Sequence, residues 1–192
     1  MIHINELNNI LPISCEDKNL SLLTFDDMEW YIRNCKKPYY EEFLDFKFSS
    51  DIQDSKLREV IYNMIVGYKL KISSGYEARL LLKNKENNVI YGGCTIFEKN
   101  NFNDIEVAYF ILPKYQGKNL GTLMLKKICI ALKNSAIPFK KITLTIRYDN
   151  KASLKVAQKV GFKYLAEVEG KYRKNIIMYI DRTSINEDKQ GW

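Results

Sequence analysis

The sequence predicts an α/β (α+β) fold, a mixed and mostly antiparallel central sheet with helices on both faces. Three observations predict it. Runs rich in β-branched and aromatic residues recur along the second half of the chain. Two segments place apolar residues at three- and four-residue steps, the spacing of one helical face. Three β-rich runs follow one another directly before strands and helices begin to alternate, so antiparallel and crossover connections should share one sheet.

In chain order, residues 18–23 read as a short strand. Thr24 with Asp27 three residues later is a capping pattern, and it opens a helix through Met28, Trp30, Tyr31 and Ile32. Pro38 and two tyrosines mark a connection. A second helix starts near Asp54 or Ser55, buries Leu57, Ile61, Met64, Ile65 and Tyr68, and ends at Ser73-Ser74-Gly75. Residues 77–82 and 89–98 form a hairpin across the polar run 84–88. A strand over 104–112 is closed by Pro113. The segment from Gly117 to Asn134 is helical, with Leu120, Leu123, Met124, Ile128 and Ala131 inward. Ile142, Leu144 and Ile146 alternate with Thr143, Thr145 and Arg147 in a further strand. Residues 151–160 make a helix stopped by Gly161, and strands over 163–169 and 172–180 flank the turn Gly170-Lys171. The expected organisation is one domain over 1–181 and a polar tail over 182–192.

Composition narrows the function classes. The 192 residues are 46% hydrophobic and 28% charged, which suits a globular chain and argues against disorder. A net charge of +7 suits an anionic partner: nucleic acid, a membrane surface or a phosphorylated small molecule. The lone histidine is His3, and Cys15, Cys35, Cys94 and Cys129 form no C-x-x-C pair. Neither a metal site nor a His-based triad is therefore expected. No run approaches the length of a membrane span, and no basic segment precedes an apolar one at the N-terminus. The expectation is a cytoplasmic protein with no membrane partner. No nucleic-acid motif is recognisable, so nucleic acid is not expected either.

The segment Tyr115-Gln116-Gly117-Lys118-Asn119-Leu120-Gly121-Thr122 follows a strand and opens a helix. Its glycines and asparagine allow left-handed dihedrals, and the unpaired amides of a helix start can hold a phosphate. It has neither Walker A nor Rossmann spacing. About thirty residues on come Asp149-Asn150-Lys151-Ala152-Ser153 and then Gly161-Phe162, a cap followed by a helix stop and a core aromatic. Each segment alone has an ordinary structural explanation; the pair is more specific.

Together they resemble the GCN5-related N-acetyltransferases (GNAT). Gln116 to Thr122 is similar to the family's acyl-CoA pyrophosphate loop, and Asn150-x-x-Ser153 with Gly161-Phe162 to its second motif. The Asn-x-x-Ser form looks most like the branch that acetylates ribosomal-protein N-termini. The resemblance spans roughly residues 18–181. It implies a V-shaped opening between the strands 104–112 and 141–147, with acetyl-CoA as co-substrate and an amine as acceptor. Amides of Gln116, Gly117, Lys118, Asn119, Gly121 and Thr122 would cradle the pyrophosphate. The backbone near Ile111 and Leu112 would hold the pantetheine arm and polarise the thioester carbonyl, and the Asn150 side chain would contact that arm. Asn119 stands where the loop usually has glycine. Ala157 stands where many members carry a tyrosine acid, so the proton-donor role falls to Ser153. The family includes dimers, so a monomer or a homodimer is expected.

Glu106 is the candidate base, an acid in the otherwise apolar run Ile105 to Leu112. It could equally be a solvated charge or an anchor for a neighbouring lysine. Ser153 could equally be a helix hydroxyl bonded to its own chain. Trp30, Tyr31, Tyr39, Tyr40, Phe43, Phe46 and Phe48 could shape the acceptor side or pack in the core. The leading function is acetyl transfer to a primary amine, on a protein N-terminus or a small molecule; the alternative is a non-catalytic acyl-CoA-binding module on the same fold. Residues 107–148 hold eight basic residues and no acid, so the positive charge is expected to face the cofactor.

Overall fold

The computed structural model describes residues 4–35, 37, 52–99, 104–170 and 174–186. Eight strands form one sheet: β1 (Ile13–Cys15), β2 (Lys18–Leu22), β3 (Glu77–Asn84), β4 (Ile90–Lys99), β5 (Asp104–Ile111), β6 (Lys141–Arg147), β7 (Lys163–Glu169) and β8 (Lys174–Asp181). Their order across the sheet is β1-β2-β3-β4-β5-β6-β8-β7. Every neighbouring pair is antiparallel except β5 and β6, which run parallel.

Four helices are described: α1 (Met28–Asn34), α2 (Asp54–Ser73), α3 (Leu120–Lys133) and α4 (Lys151–Val160). The expected capping pair forms: the Thr24 amide donates to Asp27 Oδ2 at 2.9 Å. It opens a short 3-10 turn, Phe25–Asp27, that runs into α1. Lys83 reaches across from β3 to the buried Asp27 carboxylate at 2.6 Å, so that charge has a partner. Gly161 takes φ +103 and its amide bonds back to Ala157 and Gln158, ending α4 as a left-handed cap.

Two cores cover the two faces. Leu120, Met124, Leu125, Ile128 and Leu132 of α3 pack with Ile105, Val107, Ile142, Leu144 and Ile146 of the sheet on one side. Leu57, Ile61 and Ile65 of α2 pack with Tyr31 and Leu81 on the other. The sheet is thus sandwiched between helix layers, and β5 contributes side chains to both.

Three details differ from the sequence reading. The three-residue strand β1 precedes β2, too short for alternation to be read in advance. Helix α3 begins at Leu120 rather than Gly117, because Gly117 (φ +75) and Asn119 (φ +60) are left-handed. The chain also stays packed past Asp181. Arg182 donates to the carbonyls of Lys133, Ser135 and Ile137 at 2.7–2.8 Å, and Ile185 is buried.

Candidate active site

The parallel ladder between β5 and β6 covers only Ile105↔Ile142 and Glu106↔Thr143. Beyond it the strands splay, giving the expected V. Strand alternation decides which backbone groups line it. The Leu112 amide donates to Tyr91 O on β4 at 2.9 Å, so even-numbered residues of β5 bond to β4. Tyr109 and Ile111 therefore turn their amides towards the opening. The Ile111 carbonyl already accepts a 2.9 Å bond from Gln116 Nε2, which ties the following loop to the strand end.

A cleft of about 700 Å³ lies over this opening on the α3/α4 face. Gln116, Gly117, Asn119, Gly121 and Thr122 line one wall, and Asn150 and Ser153 line the other. Asn119 adopts a left-handed conformation that glycine takes freely and asparagine tolerates better than other side chains do. The result is a concave turn leading straight into the N-terminus of a fourteen-residue helix, whose first amides lack intrahelical partners. A Cβ at Gly121 would meet Val156 Cγ2 at 3.6 Å and Tyr109 and Ile111 at 3.7 Å, so the bare backbone there lies against the cleft floor. Asn150 caps α4 by accepting the Ser153 amide at 3.0 Å.

A smaller cavity of about 240 Å³ opens on the α1/α2 face. Tyr31, Arg79, Thr95, Ala108 and Arg147 help line it. Tyr109, Phe110, Arg147, Asn150 and Ser153 line both spaces, so cleft and cavity communicate through the V. The Tyr109 hydroxyl donates towards Ser153 O at 3.4 Å. Burial pushes its pKa up, against the opposing effect of the Ser153 contact, so the hydroxyl stays protonated at neutral pH. Burial likewise pushes the Cys94 thiol up, and this core sulfur is no nucleophile at neutral pH.

Most of the expected site residues converge, and some do not. Ile111, Gln116, Gly117, Asn119, Gly121, Thr122, Asn150 and Ser153 all line the cleft. Leu112 does not: its amide is engaged by Tyr91 and its side chain is buried, so the strand-edge amides at the opening are those of Tyr109 and Ile111. Lys118 is not in the lining either, and its ammonium lies 5.9 Å from the Tyr115 ring centre. Glu106 shares the sheet face of the smaller cavity, one row below Ala108, but its Oε2 pairs with Lys99 at 2.8 Å. Ala157 is fully buried, so no acid acts from that helix position. Of the expected aromatics, Tyr31 lines the cavity and Trp30 packs against the α2-side core; Tyr39, Tyr40, Phe43, Phe46 and Phe48 lie outside the described residues.

The positive charge is placed differently from the expectation. Lys133 bonds to Ile185 O at 2.7 Å, and Lys141 pairs with Asp104 at 3.6 Å. Of the eight basic residues over 107–148 only Arg147 lines the cleft, and Lys151, Lys155 and Lys159 of α4 join it there. Their four-residue steps put them on one helical face, a signal legible in the sequence.

A model of the acetyltransferase (GNAT) domain matches residues 19–163, well over half of the chain. The chain belongs to the GNAT acetyltransferase family. No curated protein sequence matches it. Solved structures share the fold at low identity. A RimL ribosomal L7/L12 alpha-N-protein acetyltransferase in complex with coenzyme A superposes with a TM-score of 0.72 at 15% identity, covering 89% of this chain and 97% of that one. Mycobacterium smegmatis RimJ in complex with CoA-disulfide gives 0.69 at 14%, covering 85% and 81%. Vibrio cholerae spermidine N-acetyltransferase in complex with CoA and spermine gives 0.68 at 16%, covering 88% and 98%.

The GNAT chain's own residues fit an acyl-CoA. The cleft is large and open, its loop presents backbone amides at a helix N-terminus, and three lysines stand along its opposite wall. Among the described helices none is long and apolar enough to cross a membrane.

Proposed function

We propose that the protein is an acetyl-CoA-dependent N-acetyltransferase that moves an acetyl group onto a primary amine. The observation that carries this reading is the β5–β6 split, which joins an anion-ready cleft on one sheet face to a separate cavity on the other. The coenzyme A in the RimL and RimJ neighbours, and the acceptors named for the RimL and spermidine enzymes, support the same co-substrate and the same acceptor class.

Acetyl-CoA, when bound, supplies the acetyl group already activated as a thioester. In this reading the amides of Gly117, Asn119, Gly121 and Thr122 hold the pyrophosphate, and Lys151, Lys155 and Lys159 balance the phosphates. The Tyr109 and Ile111 amides and the Asn150 side chain orient the arm, and an edge amide of β5 donates to the thioester carbonyl oxygen. The acceptor enters from the cavity side. Glu106, on that face, takes the amine proton through a water. As the carbon–nitrogen bond forms and the carbon–sulfur bond breaks, Ser153 returns a proton to the leaving sulfur.

The buried Ala157 favours a second reading, an acyl-CoA-binding module without turnover. Thermal stabilisation by coenzyme A and thiol release from acetyl-CoA over a panel of amines separate the two. Stabilisation with turnover is expected. Stabilisation without turnover on any amine favours the binding module, and no stabilisation overturns both.

A further inference from the structure

We propose that the cavity selects amine acceptors carrying an anionic group near the amine, such as a terminal amine beside an acidic residue, over polycationic amines. The proposal rests on the acetyltransferase reading above and names its acceptor class. Two guanidinium groups line the cavity, Arg79 from β3 and Arg147 from β6, and none of its described lining residues is acidic. Alternation places both on the α1/α2 face. Arg79 pairs across β4 with Thr95, which stands opposite Ala108, and Arg147 lies in step with Thr143 opposite Glu106.

The described carboxylates nearby are already shared out. Glu77 serves both Arg79, through Nε at 2.8 Å, and Lys71, at 2.6 Å. Glu106 pairs with Lys99, and Asp149 approaches Arg147 Nε at 3.2 Å from the cleft side. Among the described residues the Glu77 carboxylate is thus divided between two cations, and the excess lies where Arg79 meets the cavity. Its guanidinium is fixed in place, 4.0 Å from the Tyr68 ring centre and bonded to Glu77 by Nε alone. A guanidinium carries four more N–H donors on its terminal nitrogens, a geometry that matches a carboxylate. A second ammonium on the acceptor would instead enter a positive field. A cavity of about 240 Å³ holds an acceptor of about one residue's size.

The test uses the full chain with acetyl-CoA and matched acceptors: dipeptides with aspartate or glutamate beside the terminal amine, their asparagine or glutamine counterparts, and spermidine. KM and kcat are read from thiol release, and binding to the protein–CoA complex is read by calorimetry. The acidic dipeptides are expected to show KM and Kd lower than their amides by roughly 10- to 100-fold, the range of one charge-assisted hydrogen bond. Arg79→Met should bring acid and amide values together, and Arg79→Lys should keep part of the gap. Coenzyme A stabilisation of each variant checks its fold. A preference for spermidine, or an Arg79→Met effect equal on acid and amide, overturns the selectivity while the acetyltransferase reading stands. With no turnover on any amine that reading falls; tighter calorimetric binding of acidic dipeptides then still supports the selectivity, and no binding overturns it too.

Discussion

The two sides of the β5–β6 split are made of different material. On the α3/α4 face the site is largely backbone: left-handed Gly117 and Asn119, the first amides of α3 and the strand-edge amides of Tyr109 and Ile111. On the α1/α2 face it is side chains delivered by separate elements, Tyr31 from α1, Arg79 from β3 and Arg147 from β6. A backbone-built face depends on dihedral angles and on bare space, and it accepts many side chains that respect both. A face built from side chains depends on their identity. The first suits a ligand of constant chemistry, and the second is free to vary with the acceptor.

This contrast can be broken by substitution, beginning with the largest effect. Gly121→Glu places a carboxylate in the cleft; like charges about 4 Å apart near a surface repel by roughly 4 kcal/mol, so thermal stabilisation by coenzyme A should vanish. Gly121→Ala should retain it, because a Cβ there meets nothing closer than 3.6 Å. Equal stabilisation of the glutamate variant and wild type would remove the pyrophosphate from this loop. Glu106→Gln should lower turnover by about 10²-fold while coenzyme A stabilisation persists. Wild-type turnover of that variant at every pH would leave Glu106 as no more than the partner of Lys99.

Smaller effects sharpen the backbone half. Asn119→Val forces a β-branched residue to φ +60 and should cost about 1–2 kcal/mol in urea unfolding, whereas Asn119→Gly should not destabilise. A valine variant as stable as the glycine one would mean that the dihedral is not what the position demands. Asn150→Ala removes the cap on α4 and should cost about 1 kcal/mol. The smallest effect belongs to the side-chain half. Burial alone would raise the Glu77 pKa, but hydrogen bonds from Lys71 and Arg79 outweigh it and hold the carboxyl below its usual range. Its contribution is therefore present above the ordinary glutamate pKa of about 4.3 and is lost as pH falls through the lowered folded value. The stability gap between wild type and Glu77→Gln should narrow below about pH 4; a gap that widens there reverses the sign.

The same contrast explains what could be read in advance. Left-handed positions and helix starts need Gly or Asn at fixed local spacing, so residues 116–122 and 150–162 announce their part of the cleft lining. The mixed sheet was equally legible, because its strands alternate and its helices repeat within short windows. Arg79 carries no local mark. It is one of many basic residues, and it matters because β3, β4 and β5 bring it level with Ala108 at the cavity. Charge misled for a related reason. The acid-free stretch 107–148 is contiguous in sequence, but folding sends Lys133 and Lys141 to structural partners and turns α4's lysines to the cleft.

The brevity of the β5–β6 ladder has one more consequence, and it concerns hydrogen exchange. The middle of a sheet ordinarily exchanges its amide protons most slowly. Here β5 is central, yet its residues beyond Glu106 bond in turn to β4 and to the open V. The amides of Ala108 and Phe110 should be protected, and those of Tyr109 and Ile111 should exchange quickly in the free protein. Adding coenzyme A should slow the second pair and leave the first as it was. A sheet's interior would then report ligand occupancy residue by residue.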